Sequence, residues 1–234
     1  MRNARVYFFL CLFLSTLPAI AGIKIIRVSG DVTVRHDVQE TWTGLSRGDI
    51  LQARDAIRSG RNSSVTLLVD GAKKIVVPEL VVLDLSDLRS LTQEELLLKL
   101  AMEGVRAAPQ NSRHDGELNI PRTTTTYGED RDVFQNARPV DPVTGTLQSN
   151  GIKVLYQNGF YATCVVRAKQ LFRLNTALLK RVDDRLLVAS AFEMMNLRSE
   201  ALDEYRLIQK ENLPPDKKAI VESKVKRLKK EKKD

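Results

Sequence analysis

A chain of 234 residues with a formal net charge of +8, two cysteines and two histidines has room for one large domain or two small ones. It holds too few thiols and imidazoles for a disulfide-stapled module or a His-rich metal centre. The positive charge is concentrated: nine Lys/Arg against four Asp/Glu fall in residues 216–234, and Arg2 and Arg5 stand at the start. The body between is nearly neutral, so no nucleic-acid partner is expected.

The first 21 residues carry the pattern of a cleaved signal peptide. Arg2 and Arg5 form a basic start, Val6 to Leu17 is an apolar run, and Pro18 ends it before Ala19-Ile20-Ala21. The run is shorter than the roughly 20 residues a spanning helix needs, and a small-x-small cleavage pattern follows at once. The expectation is export, cleavage before Gly22, and a periplasmic or otherwise extracytoplasmic location in a bacterium. Cys11 follows Phe8-Phe9-Leu10 and lacks the small preceding residue that lipidation requires. With the leader removed, Cys164 is the remaining thiol. It stands among Ala162, Val165 and Val166, as a buried structural cysteine would.

Residues 22–90 read as short strands separated by turns. Ile23–Val28 is strand-like, Ser29-Gly30-Asp31 turns it, and Val32-Thr33-Val34 alternates outward. Gly44, Gly48-Asp49 and Ser59-Gly60 punctuate the next stretch. Val65–Val69 is a strand, Asp70-Gly71 a hairpin signal, and Lys73–Val77 the return. Pro78 interrupts before a last strand from Leu80 to Leu85. Strands at this spacing predict a small sandwich or barrel.

A helix is expected over 91–108. Thr92-Gln93-Glu94-Glu95 is a capping box, Leu91 and Leu96 fit a hydrophobic staple, and Leu96, Leu97, Leu100 and Val105 form the apolar stripe. Residues 109–150 hold Pro109, Pro121, Pro139 and Pro142, the tract Thr123–Thr126, and few large apolar side chains. They read as a flexible linker, too long to fix the orientation of what it joins. From Gly151 the apolar period becomes helical, with helices expected at about 152–175, 182–196, 199–211 and 215–231, and Pro215 in the first turn of the last.

Two family resemblances stand on particular residues. Val28-Ser29-Gly30-Asp31-Val32-Thr33-Val34, Trp42, Leu45, Gly48-Asp49-Ile50-Leu51, Asp55-Ala56-Ile57-Arg58-Ser59-Gly60, Ser63-Ser64-Val65-Thr66-Leu67 and Asp70-Gly71 occur in the order and spacing of the FecR domain. Residues 28–85 resemble that family, which implies an extracytoplasmic all-β module without enzymatic activity. Leu187-Val188-Ala189, Ala191-Phe192, Ala201, Tyr205, Ile208 and Pro214 resemble one tetratricopeptide repeat. Ala189 stands where that family has glycine and Arg185 where it has a large aromatic. Residues 152–180 would supply a preceding degenerate pair and 215–231 a capping helix. This resemblance implies a protein–protein interaction surface.

Chemistry-bearing motifs are scarce. No phosphate-binding glycine loop, nucleophile elbow, His-Glu-x-x-His or calcium loop occurs. His36 beside Asp37 and His114 in Arg113-His114-Asp115 read as structural or solvated. Asp84 and Asp87 lie close in sequence but at a strand end and a helix start, and Trp42 reads as a core or flank residue. The Lys-rich end from Lys217 reads first as a solvated helix terminus. The expected architecture is α+β and multidomain. It comprises a signal peptide (1–21), a FecR-like β domain (22–90), a following helix (91–108), a linker (109–150) and tetratricopeptide-like hairpins (151–231) with a basic tail to 234.

The expected role is a non-enzymatic binding or scaffold protein of the cell envelope, with no catalytic residue, cofactor or metal assigned. Its partners would be envelope proteins, with cell-wall polymer or an anionic membrane surface engaged through the basic tail. The alternative is a sensory or regulatory component of a FecR-type transmembrane signalling system.

Overall fold

The computed structural model describes residues 22–107 and 141–231. The expected leader, residues 109–140 of the expected linker with His114, and the last three residues lie outside the described residues.

Among the described residues, eight strands form two four-stranded antiparallel sheets. The strands are β1 (Ile23–Ser29), β2 (Val32–Arg35), β3 (Thr43–Gly44), β4 (Ile50–Leu51), β5 (Ala56–Ser59), β6 (Ser64–Val69), β7 (Lys73–Val77) and β8 (Val81–Asp84). One sheet runs β4-β1-β6-β7 and the other β3-β2-β5-β8. Alternation decides the inner faces. Val65, Leu67 and Val69 are buried along β6, and Val32 and Val34 along β2. β5 departs from strict alternation, with Ala56 and Ile57 both buried, so its sequence shows no period of two.

Three turns explain the glycine and serine pattern. Gly30 has φ +75°, and a Cβ there would meet the Ser63 Oγ at 2.5 Å. That hydroxyl accepts from the Asp31 N–H (2.8 Å) and donates to the Arg61 carbonyl (2.9 Å). Ser59 Oγ donates to the Pro78 carbonyl (2.6 Å) and accepts from the Val81 N–H (3.1 Å), holding β5 to the entry of β8. Asp70 and Gly71 both take positive φ and reverse the chain into β7.

Among the described residues six α-helices follow: α1 (Gln93–Ala107), α2 (Pro142–Gln157), α3 (Tyr161–Leu174), α4 (Val182–Met194), α5 (Arg198–Gln209) and α6 (Pro215–Glu231). The fold is therefore α+β. The capping box of α1 forms as expected: the Glu95 N–H donates to Thr92 Oγ1 (3.1 Å), and the Thr92 N–H donates to the Glu95 carboxylate (2.9 Å). The buried stripe differs from the expected one. Leu96 and Glu103 are buried and Leu100 packs on the core, whereas Leu97 is exposed. The helix is rotated so that Glu103 can meet Arg173 on α3 (2.9 Å).

Two boundaries need correction. Residues 142–150, expected in the linker, are helical: Asp141 caps α2 by accepting from the Thr144 N–H (3.1 Å), and Pro142 opens the first turn. The single helix expected over 152–175 is two. Asn158-Gly159-Phe160 breaks it, with Gly159 at φ +79°.

That break is repeated 37 residues later. The Gly159 N–H donates to Tyr156 O (3.0 Å) and the Phe160 N–H to Leu155 O (3.0 Å). The Asn196 N–H donates to Glu193 O (2.9 Å) and the Leu197 N–H to Phe192 O (2.9 Å), and Asn196 takes φ +59°. Both are helix ends closed by a left-handed residue. Buried side chains keep the same register: Cys164 with Ala201, Val165 with Leu202, Ala168 with Tyr205, and Leu171 with Ile208. On α6, Val225 and Leu228 repeat the buried Val188 and Ala191 of α4. The far side of α6 is polar, with Lys218, Glu222, Lys226 and Lys229 exposed. An array of stacked hairpins can end on such a helix.

Candidate functional site

The sandwich and the helices share one contiguous core. α2 lies on β8, α1 lies on α3, and Gly151 is the point of closest approach. Around it, Asn150 Nδ2 donates to Leu80 O (2.8 Å) and Thr163 Oγ1 to Arg89 O (2.9 Å). Lys73 Nζ donates to Asn158 O (2.5 Å) and lies 3.9 Å from the centre of the Phe160 ring.

Asp84 and Asp87, expected at a strand end and a helix start, converge on Arg167 of α3. Its Nε donates to Asp87 (2.6 Å) and its Nη2 to Asp84 (2.8 Å). This places one guanidinium across two carboxylates at the seam. Burial pushes the Asp87 carboxyl up to about 6 although Arg167 and Lys99 pull it down. The same two carboxylates hold Arg167 above its ordinary value against the opposing effect of burial. A cavity of about 90 Å³ beside this cluster is lined by Gly151, Ile152, Leu155 and Leu171 together with Asp84 and Arg167. Its floor is aliphatic and its one cation is already committed to two carboxylates, so it serves packing more than chemistry.

Polar straps join the first helices of successive hairpins. Tyr156 Oη and Ser190 Oγ are 2.8 Å apart between α2 and α4. Ser149 Oγ donates to the buried Asp184 (2.7 Å), which also faces Arg181 (3.0 Å). Glu193 on α4 accepts from Tyr205 Oη on α5 (2.5 Å) and from Lys224 (2.9 Å) and Arg227 on α6, while Lys217 on α6 pairs with Asp183 on α4. Burial raises the Tyr205 phenol to about 12, which keeps it a donor to Glu193. Met194 on α4 and Ile220 on α6 stay exposed beside these straps.

The remaining sequence candidates take structural places. His36 Nδ1 lies 3.2 Å from Asp55 Oδ1. Asp55 is buried and also accepts from the backbone N–H groups of Asp37 (3.3 Å) and Gln52 (2.8 Å), so it closes a turn. Cys164 is fully buried, and burial pushes its thiol well up. Trp42, read as a core or flank residue, is half-buried on the outer side of the β3-β2-β5-β8 sheet beside Arg35 and Arg58.

Among the described residues, no three or more His, Cys, Asp or Glu side chains gather as a metal site would need, and no helix is long and apolar enough to cross a membrane. No family model, curated protein or solved structure matches the chain.

Proposed function

We propose that this chain is an exported, non-enzymatic binding or scaffold protein of the bacterial cell envelope. In this reading a FecR-like β-sandwich anchors a short tetratricopeptide-like array. The array docks a segment of an envelope protein along the adjoining faces of α2, α4 and α6. The observation that carries the reading is the 37-residue repeat of backbone hydrogen bonds and buried positions from α2 to α6. Stacked hairpins of this kind set side chains of successive first helices in a row, a geometry suited to an extended partner segment. The FecR-like part draws support from the roles of its motif residues. Gly30, Asp55, Ser59 and Ser63 each close a turn or tie two strands.

The apolar contacts would come from Met194 and Ile220, exposed at 57% and 48%. Single exposed hydrophobics are ordinary, but these two stand on helices joined by the Glu193 strap, Met194 next to Glu193 and Ile220 one turn before Lys224. The test is a photo-crosslinking amino acid placed at Met194 or Ile220 in cells, with Leu207 on α5 as control. Discrete adducts from the first two positions in the envelope fraction, and none from Leu207, support the reading. Equal or absent adducts at all three refute it. Amino-terminal sequencing of the same purified protein tests export independently, and Gly22 is the expected first residue.

A further inference from the structure

The outer side of the β3-β2-β5-β8 sheet carries an arrangement that the docking role leaves unused. Trp42 is the chain's one tryptophan. The guanidinium of Arg58 lies 4.8 Å from the centre of its ring and that of Arg35 lies 5.4 Å away. Register explains the convergence: Thr33 on β2 pairs with Arg58 on β5 and with Gly44 on β3, so Arg35 stands diagonal to Arg58 on one face.

Two cations so placed repel each other; the indole offers each a cation–π contact, but carboxylates to neutralise them are scarce. Among the described residues Arg35 pairs only with Asp84, at 3.9 Å, and Asp84 is held more closely by Arg167 at 2.8 Å. Among the described residues no carboxylate pairs with Arg58, which is exposed. Two buried polar atoms at the same place also lack a hydrogen-bond partner: Arg35 Nε and Thr33 Oγ1. Both atoms are sealed from solvent, so an occupant would meet the exposed parts of Arg35, Arg58 and Trp42, beside which the sheet is open at Gly44, where a Cβ would meet nothing within 4 Å.

An occupant must therefore bring an anionic acceptor for a guanidinium fork and a flat apolar edge for an indole. A carboxylate can take two N–H donors of one guanidinium. The C–H face of a sugar ring can lie on the indole, which is apolar over most of its surface. We infer that Trp42, Arg35 and Arg58 form a binding site for a carboxylated saccharide unit. The indole carries the ring, and the two arginines take the carboxylate. The site lies on the sandwich and not on the helical array, so its failure would leave the docking role standing.

Because Trp42 is alone in the sequence, its fluorescence reads the site directly. The experiment titrates the full chain with a galacturonate oligomer, a neutral galactose oligomer of equal length, and inorganic phosphate. The expected result is a saturable change with the carboxylated oligomer, half-complete near or below about 1 mM. It should weaken as salt is raised, and be at least about tenfold weaker with the neutral oligomer. R58Q should lose about tenfold in affinity while keeping the native melting temperature, and R58K, which keeps charge but not the fork, should fall between. An equal response to the neutral oligomer or to phosphate overturns the inference, as does no response at all. Unchanged binding by a folded R58Q overturns it too.

Discussion

Gly151, in the middle of α2, faces the carbonyl oxygen of Val82 on β8 so closely that a Cβ on it would lie 2.2 Å away. Glycine inside a helix normally destabilises it by roughly 1 kcal/mol relative to alanine. Here its missing side chain lets helix and strand backbones touch, and the seam between sandwich and array depends on that contact.

Gly151→Ala should therefore reverse the usual sign. We expect a loss of about 1–3 kcal/mol, the range for forced overpacking. Gly104→Ala on α1, where a Cβ would meet nothing within 4 Å, should gain up to about 1 kcal/mol. Urea unfolding of both variants beside the parent checks the pair. Equal shifts in the same direction would remove the seam contact as the reason for glycine at 151.

The Arg167 cluster gives a pH dependence of defined sign. Burial raises the folded carboxyl of Asp87 from 3.8 to about 6. The folded state thus binds that proton more tightly than the unfolded state does. The associated stabilisation is complete below about pH 4 and lost as pH rises through about 6. The full effect is at most about 3 kcal/mol. The parent should lose stability relative to Asp87→Asn between pH 4 and pH 7.5, measured by denaturant unfolding at both. A flat difference would mean that Arg167 offsets the burial of Asp87 completely.

Removing the cation isolates the carboxylates. Arg167→Met should destabilise the protein by about 3 kcal/mol or more at pH 7.5, since it leaves Asp84 and Asp87 without their shared donor. The loss should shrink at pH 5, where Asp87 takes up a proton. A loss independent of pH would point to packing of the Arg167 stem instead.

The two repeated turns predict opposite responses to glycine. Asn196 sits at φ +59° where its counterpart is Gly159 at φ +79°. Asn196→Gly should be neutral or stabilise by a few tenths of a kcal/mol, while Gly159→Val should cost about 1–2 kcal/mol. Thermal melts of the two variants test the equivalence. A stabilising Gly159→Val would break it.

Cys164 supplies a check on the core of α3. It is fully buried, and its counterpart in the second hairpin is Ala201. Its thiol should react with an aromatic disulfide reagent only after unfolding in urea. Rapid reaction in the native protein would contradict the packing of α3 against α2 and α4.

Local signals survived into the structure wherever the chemistry was confined to a few adjacent residues. The Thr92–Glu95 capping box, the Asp70-Gly71 reversal and the strands from β6 to β8 needed no distant partner to be recognised. The Asp141-Pro142 helix start is equally local, an N-cap followed by a first-turn proline, but it stands at the end of a proline-spaced stretch that reads as linker. Asn158-Gly159 was a turn signal hidden inside a continuous apolar period, since both flanking helices bury the same face.

The sequence by itself determined an α+β chain of short strands followed by helices, because periods of two and of 3.6 are properties of the backbone that side-chain patterning must obey. It held no sign that Asp84, Asp87 and Arg167 would meet, or that Arg35, Arg58 and Trp42 would share one face. Those groupings join residues up to 83 positions apart. They exist only because strand register and the Gly151 contact bring separate elements within hydrogen-bonding range. Tertiary structure also decided how the two parts sit: close packing of α2 on β8 orients the array on the sandwich.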